Sequence, residues 1–286
     1  MEQKVDLHLH TKHSDGRQSV EELLDICEDA ELDIISITDH DCVDAYGVLK
    51  DEKVRQRFSG RIIPGVEIST VYEGVLVHVL GYGIDVDKIT LSMRHISSED
   101  TVAFRKREIE TKFKEWGINF ESTAPQTVEQ IREIVTFFEE NPNELSKIPE
   151  KIDLSPRGGK TSIGVLFWNY INNRNSCMFI DFGKLYSSFD EAIEIIHMAD
   201  GKAVLAHPAQ YLEFSDIVLD YAKDKVDGVE VYHYSANEDW RDKLLKYAEL
   251  NNLFVTGGSD YHGGLNCRIN RQGVEKSMVI KFLSYF

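Results

Sequence analysis

The chain has 286 residues, 42% of them hydrophobic, and a formal net charge of −17. That length supports one large core, or one core carrying a subdomain. The acidic excess argues against a protein that grips long nucleic acid through a basic surface, since Lys and Arg supply most nonspecific affinity for phosphates.

Cys27, Cys42, Cys177 and Cys267 form no Cys-x-x-Cys pair, which argues against a zinc knuckle or a disulfide framework and for reduced thiols. The start, Met-Glu-Gln-Lys followed at once by Val5-Asp6-Leu7-His8, lacks the parts of a signal peptide, and no apolar run approaches the roughly 20 residues of a membrane span. A cytoplasmic enzyme is expected.

Val5 to Leu9 alternates as a strand does, and Ser19 with Glu22 forms a capping box that opens a helix reaching about Ala30. Asp33 to Ile37 is a second buried strand, and strand, helix, strand implies parallel pairing. A helix near Val43 to Phe58, a strand at Arg61 to Val66 and another at Val75 to Leu80 continue the rhythm.

The rhythm then breaks. Residues 85–182 are charged and helical, with helices expected around Ile96 to Trp116, Thr127 to Glu140 and Ser162 to Asn172, and Pro142, Pro149 and Pro156 between them. This stretch reads as a helical insertion or cap.

Alternation resumes with a helix at Phe189 to Met198, a strand at Ala203 to Ala206 and a helix near Ile217 to Lys223. A strand at Gly228 to Tyr232, a helix at Asn237 to Leu250 and a strand at Leu253 to Thr256 follow. Parallel strands separated by helices on both sides of one insertion predict an α/β barrel made of residues 1–84 and 183–286.

The ends of these strands are dense in side chains that bind metals: His8, His10, Asp15, Asp39, His40, Glu67, His78, His207, Asp260 and His262. Side chains from the ends of many strands converge at one mouth of a barrel. His8 and His10, two apart on a strand, leave the same face. A carboxylate such as Glu67 can bridge two cations and draw them to about 3.5–4 Å. Singly each group is ordinary; together they predict a metal site.

Asp6-Leu7-His8-Leu9-His10, Ser14-Asp15-Gly16, Ile37-Thr38-Asp39-His40-Asp41, Pro64-Gly65-Val66-Glu67-Ile68-Ser69, Ala206-His207-Pro208 and Gly258-Ser259-Asp260-Tyr261-His262 resemble, in order and spacing, the motif set of the PHP (polymerase and histidinol phosphatase) family. The resemblance implies a distorted seven-stranded barrel with three divalent ions, usually manganese, iron or zinc. By the family pattern His8, His10, Glu67 and Asp260 would hold one ion. Glu67, His78 and His207 would hold a second, and Asp15, His40 and His262 a third. Nitrogen and carboxylate donors without thiolate suit those metals better than magnesium or calcium.

The implied activity is hydrolysis of a phosphate ester by water that the cations activate, with Glu67, Asp260 and His262 at the reacting centre. Asp39, beside His40, is expected to orient that ring. The order of parts looks most like stand-alone phosphatases of 3′,5′-bisphosphonucleotides, some of which also trim short RNA from the 5′ end. Relatives of that kind carry an Arg-x-His segment in the insertion; here the stretch is Ser155-Pro156-Arg157-Gly158-Gly159-Lys160-Thr161-Ser162, without histidine.

Arg105, Arg157, Lys160 and Arg174 are candidate phosphate contacts. His13 and His233 are candidate pocket residues, whereas His95 and His197 read as ordinary helix residues. Gly159-Lys160-Thr161 is not a phosphate loop, because Leu154 stands where glycine is required. The expected partner is a small phosphorylated metabolite, with a 5′–3′ exonuclease on short RNA or DNA, or a catalytically silent metal-binding module, as the alternatives.

Overall fold

Eight strands fall into two sheets in the computed structural model, which describes residues 3–90, 98–125, 127–157, 160–263, 268–270 and 274–286. The first sheet is parallel, in the order β1 (Val5–Leu9), β2 (Ile34–Ile37) and β3 (Arg61–Ile62). The second runs β4 (Gly65–Tyr72), β5 (Val75–Tyr82), β6 (Lys202–Leu205), β7 (Gly228–Tyr232) and β8 (Phe254–Gly257).

The α/β class is as expected, but the sheets are mixed. The single strand expected from Arg61 to Val66 divides at Pro64, which has no N–H for a ladder; its halves lie in different sheets. β4 and β5 form an antiparallel hairpin, and β5 pairs antiparallel with β6. The hairpin turns on Glu73 (φ 48°) and Gly74 (φ 80°), the doubly positive pair that a two-residue turn of matching twist demands.

The smaller sheet meets the larger at both edges of the latter. Leu9 bridges Tyr261 beyond β8, and His40 beyond β2 bridges Glu67 on β4. An apolar cluster joins Val5 and Leu7 of β1 to Leu80, Val204 and Phe254 of the larger sheet, and α10 (Ile280–Leu283) covers it with Phe282 and Leu283.

Helices α1 (Val20–Asp29), α7 (Phe189–Met198), α8 (Ser215–Ala222) and α9 (Glu238–Leu250) lie close to expectation, α1 with the full Ser19/Glu22 capping box. The helix expected near Val43 to Phe58 is instead two single turns, α2 (Ala45–Val48) and α3 (Glu52–Arg55). Asp51 interrupts them by accepting from the N–H of Lys53, a cap that starts a new helix.

Between β5 and α7 the chain builds a second core. It draws on α4 (Ser98–Glu115), α5 (Thr127–Glu140) and α6 (Ser162–Leu166), with Phe113, Ile134, Phe138 and Leu166 buried, and touches the larger sheet through Leu76. The helix expected from Ser162 to Asn172 ends at Leu166 and widens into a π-turn over Phe167–Ile171. Ile96, His95, Cys267 and the Gly158-Gly159 pair lie outside the described residues.

Candidate metal centre

Alternation on β1 sends Asp6, His8 and His10 to one face, where all three are completely buried. Strand ends supply the rest: His40 beyond β2, Glu67 near the start of β4, His207 beyond β6, and Asp260 and His262 beyond β8. His78 comes from β5, opposite Ser69, and Asp15 from the loop after β1.

Glu67 stands at the middle. Its Oε1 lies 2.9 Å from both His78 Nδ1 and His207 Nε2. Its Oε2 lies 2.9 Å from His8 Nε2, 3.2 Å from His10 Nε2 and 3.5 Å from His40 Nε2. Asp260 Oδ1 is 3.2 Å from His10 Nε2 and 3.4 Å from His8 Nε2. Asp15 Oδ1 faces His262 Nε2 at 3.1 Å.

Among the described residues, three groups have donor atoms within 4.8 Å of one another: His8, His10, Glu67 and Asp260; His10, Asp15, His40 and His262; and His40, Glu67 and His78. Compared with the family pattern, His10 and His40 each stand close to two groups. His207 sits beside the last, 3.3 Å from His78 Nδ1.

The chemistry of these donors fits cations. The Nδ1 atoms of His10, His40 and His207 are buried without a hydrogen-bond partner among the described residues. Such orphaned groups are rare in a folded interior and call for an unseen partner.

Electrostatics agree. Burial opposes ionisation of Glu67, yet the imidazoles around it, His8 foremost, outweigh it and hold its carboxyl well below the usual range. Burial likewise opposes the Asp260 carboxylate, and His262 and His8 overcome it. Burial drives His40 down to about 3 and His207 to about 4, leaving these two imidazoles neutral with lone pairs to offer, whereas the carboxylates around His8 and His262 overcome burial and raise theirs, so that a cation bound there would displace a proton.

Two of these groups sit on strained backbone. His207 has φ 28° and Asp260 φ 54°, values that cost a non-glycine residue about 1–3 kcal/mol each unless the surroundings over-determine them. The surroundings do so through groups that sequence reasoning missed. Glu230, completely buried on β7, accepts from the His207 backbone N–H at 2.9 Å and lies 2.9 Å from His8 Nδ1. Asp6 accepts from the N–H groups of Ser259 and Asn270. A carboxylate in the middle of an apolar strand, Gly228-Val229-Glu230-Val231, was the available signal.

Other residues do work different from that expected. Asp39 does not reach the His40 ring; its carboxylate accepts from the Thr11 N–H at 2.7 Å and from the hydroxyls of Thr11 and Ser14 at 2.6 Å, pinning the loop that carries Asp15. The cause is the short Asp side chain, which points along β1 toward that loop. His233 is buried, with Nε2 3.3 Å from Asp260 Oδ2 and Nδ1 2.7 Å from the Ser235 hydroxyl, so it supports Asp260. His197 pairs with Asp227 on the outer surface.

The basic candidates are dispersed. Arg174 pairs with Glu73 at the hairpin turn and lies over Phe214. Arg157 pairs with Asp153 at 3.1 Å, and Arg105 is buried between the rings of Phe167 and Phe182. Lys160 is 9% exposed, with Nζ 3.3 Å from Asn169 Oδ1, and His13 is exposed on the loop after β1. Trp168, on the π-turn beside Asn169, packs its ring 5.8 Å from His78 and 5.6 Å from His207.

The PHP domain family model matches residues 6–253. The chain is 26% identical over 261 residues to the 5′-3′ exoribonuclease Rnm of Escherichia coli, covering 90% of this chain and 84% of the relative. It is 25% identical over 264 residues to the 3′,5′-nucleoside bisphosphate phosphatase of Chromobacterium violaceum, covering 90% and 87%. Among solved structures, a Bifidobacterium adolescentis protein described as a metal-dependent phosphoesterase superposes with a TM-score of 0.63 at 24% identity, over 99% of this chain and 96% of the other. No helix among the described residues is long and apolar enough to cross a membrane. A family match across most of the chain, with histidines and carboxylates gathered at the strand ends, makes this protein a member of the PHP domain family and a metal-dependent phosphoric ester hydrolase.

Proposed function

We propose that the chain is a phosphomonoesterase acting on a small nucleotide of the 3′,5′-bisphosphonucleotide kind, with three divalent ions, of manganese, iron or zinc, at the strand-end cluster. The observation that carries this reading is the division of Glu67, one carboxylate oxygen toward His78 and His207 and the other toward His8, His10 and His40. That is the arrangement a bridging ligand between two cations takes. His8, His10, Glu67 and Asp260 hold the first ion, Glu67, His78 and His207 the second, and Asp15, His40 and His262 the third.

Such ions, when bound, bring the pKa of water toward about 7 and offset the charge of a phosphoryl group. The chain's own residues do the positioning. Asp260 and His262 stand at the open side, with side chains 11% and 29% exposed. Residues 85–182 act as the cap, bringing Trp168 as a flat surface for a base and Lys160 as a cation for a second phosphate. The two sheets, bridged at both edges of the larger, serve as one distorted barrel around this centre.

The reading is tested by phosphate release from a panel of 3′,5′-bisphosphoadenosine, AMP, histidinol phosphate, sugar phosphates and a 5′-phosphorylated oligonucleotide, with manganese-loaded protein and Asp260→Ala and His262→Ala controls. Preference for the bisphosphonucleotide, lost in the controls, is expected. The second reading, a 5′–3′ exonuclease on short RNA, is supported by the similarity to the Escherichia coli 5′-3′ exoribonuclease. It requires turnover of the oligonucleotide with a steep dependence on salt. Full metal occupancy with no release from any substrate would identify a silent metal-binding module.

A further inference from the structure

We propose that Glu230 is a positioning residue that couples two of the ion positions, setting the tautomer of His8 and the backbone of His207 with one carboxylate. The inference rests on the metal-centre reading above. Glu230 is completely buried, and its two oxygens serve different masters. Oε1 lies 2.9 Å from His8 Nδ1, and Oε2 accepts from the His207 backbone N–H at 2.9 Å.

An ionised carboxylate only accepts. The Nδ1 of His8 therefore carries a proton, and Nε2, 2.9 Å from Glu67 Oε2 and 3.4 Å from Asp260 Oδ1, is left as the one nitrogen at which a cation would take the place of a proton. At the second contact, the same group ties down a residue held at φ 28°, where no side-chain cap assists it. His207 then presents Nε2 to Glu67 Oε1. The two residues, with their imidazoles on opposite oxygens of Glu67, are thus held by opposite oxygens of Glu230, His8 through its ring and His207 through its backbone.

Glutamine at position 230 cannot serve both. Its amide has one acceptor and one donor end. If the oxygen keeps the His207 N–H, the NH₂ faces His8 Nδ1, which must then accept; the proton moves to Nε2 and blocks the atom aimed at the ion. If the oxygen keeps His8, two N–H donors face each other at His207 in a buried place, which the strained turn escapes by moving. Either way, the loss is in metal affinity before it is in substrate binding.

The experiment is metal content, measured by mass spectrometry after equilibration of the wild-type protein, of Glu230→Gln and of Glu230→Leu in zinc buffered by a chelator. Removing an outer partner of this kind lowers metal affinity about 10–100-fold; the expected result is a loss of that size at one position in Glu230→Gln, which keeps one contact, and at two positions together in Glu230→Leu, which keeps neither. Wild-type affinity in Glu230→Gln, or loss confined to one position in Glu230→Leu, overturns the coupling. Wild-type protein that takes up no metal sinks the metal-centre reading and the inference with it.

Should the variants fail to fold, the nitrogen spectra of zinc-loaded wild-type protein decide the matter, through the imidazoles for His8 and through the His207 backbone amide, whose proton must be shifted downfield by its bond to Glu230. A proton on Nδ1 of His8, shifted downfield by its bond to Glu230, is required; a bare Nδ1 refutes the assignment. A residue with a merely structural role has no bearing on that signal.

Discussion

The strand-end cluster and the insertion between β5 and α7 are built on opposite principles. In the cluster, polar groups are buried against one another, and Glu67 alone stands within 3.5 Å of five imidazoles. In the insertion, an apolar core of its own holds the helices, and the charged side chains Arg157 and Arg174 pair outward with Asp153 and Glu73. The difference teaches where each property resides. On the proposed reading, chemistry belongs to the groups gathered around Glu67, and selection of the substrate to the insertion, whose apolar core is separate from them.

The largest effect that would sharpen this contrast is Glu67→Gln. The substitution keeps volume but removes the charge and one acceptor, so that one of the two histidine sets faces an amide N–H. Activity should fall by at least about 10²-fold, the scale on which lost electrostatic stabilisation is felt, and metal content should fall with it. A variant that keeps its ions and loses only activity would show that Glu67 serves the reaction without bridging.

Phe113→Ala comes next and attacks the other side. Phe113 is 1% exposed and meets Phe138 and Phe120 edge to face at 5.5 and 5.7 Å. Truncating such a ring costs about 3–5 kcal/mol. Thermal unfolding should therefore show the insertion melting earlier, while the zinc affinity of the cluster is retained. Loss of zinc affinity in step with the melting would break the comparison, since the cluster would then depend on the insertion's core.

How much of each region was legible in the sequence follows the same division. His8 and His10 announce themselves by a spacing of two on an apolar strand, and strand ends before His207 and Asp260 are marked by short apolar runs with glycine or proline nearby. Local pattern suffices because these histidines and carboxylates ride on regular elements. Glu230 was passed over because a single carboxylate in a strand reads as a solvated side chain until His8 and His207 are seen against it.

Asp39 was misassigned to His40 because adjacency in sequence does not give direction, and its short side chain reaches Thr11 and Ser14 instead. The hairpin of β4 and β5 escaped because Pro64 interrupts what looks like one strand. In the insertion, charge density alone could not separate Arg174, tied to Glu73, from Lys160, which has Asn169 beside it.

That last contrast yields the smallest and most specific effect. Burial, helped by the nearby charge of Arg157, lowers the Lys160 ammonium from 10.5 to about 8. A lysine that contacts a substrate phosphate must be protonated, so KM for the bisphosphonucleotide should rise above about pH 8 while kcat changes little. Lys160→Arg, whose guanidinium stays charged, should remove that limb, and Lys160→Ala should raise KM about tenfold at pH 7, the loss of one charge-assisted hydrogen bond.

The sign of the stability effect is opposite. Because the folded state gives up this proton near 8 and the unfolded state near 10.5, the contribution of Lys160 to stability grows with pH across that window. A KM that stays flat through pH 9 in the wild type, with unfolding showing the stability trend, would place Lys160 in the architecture of the insertion and leave the second phosphate to another cation.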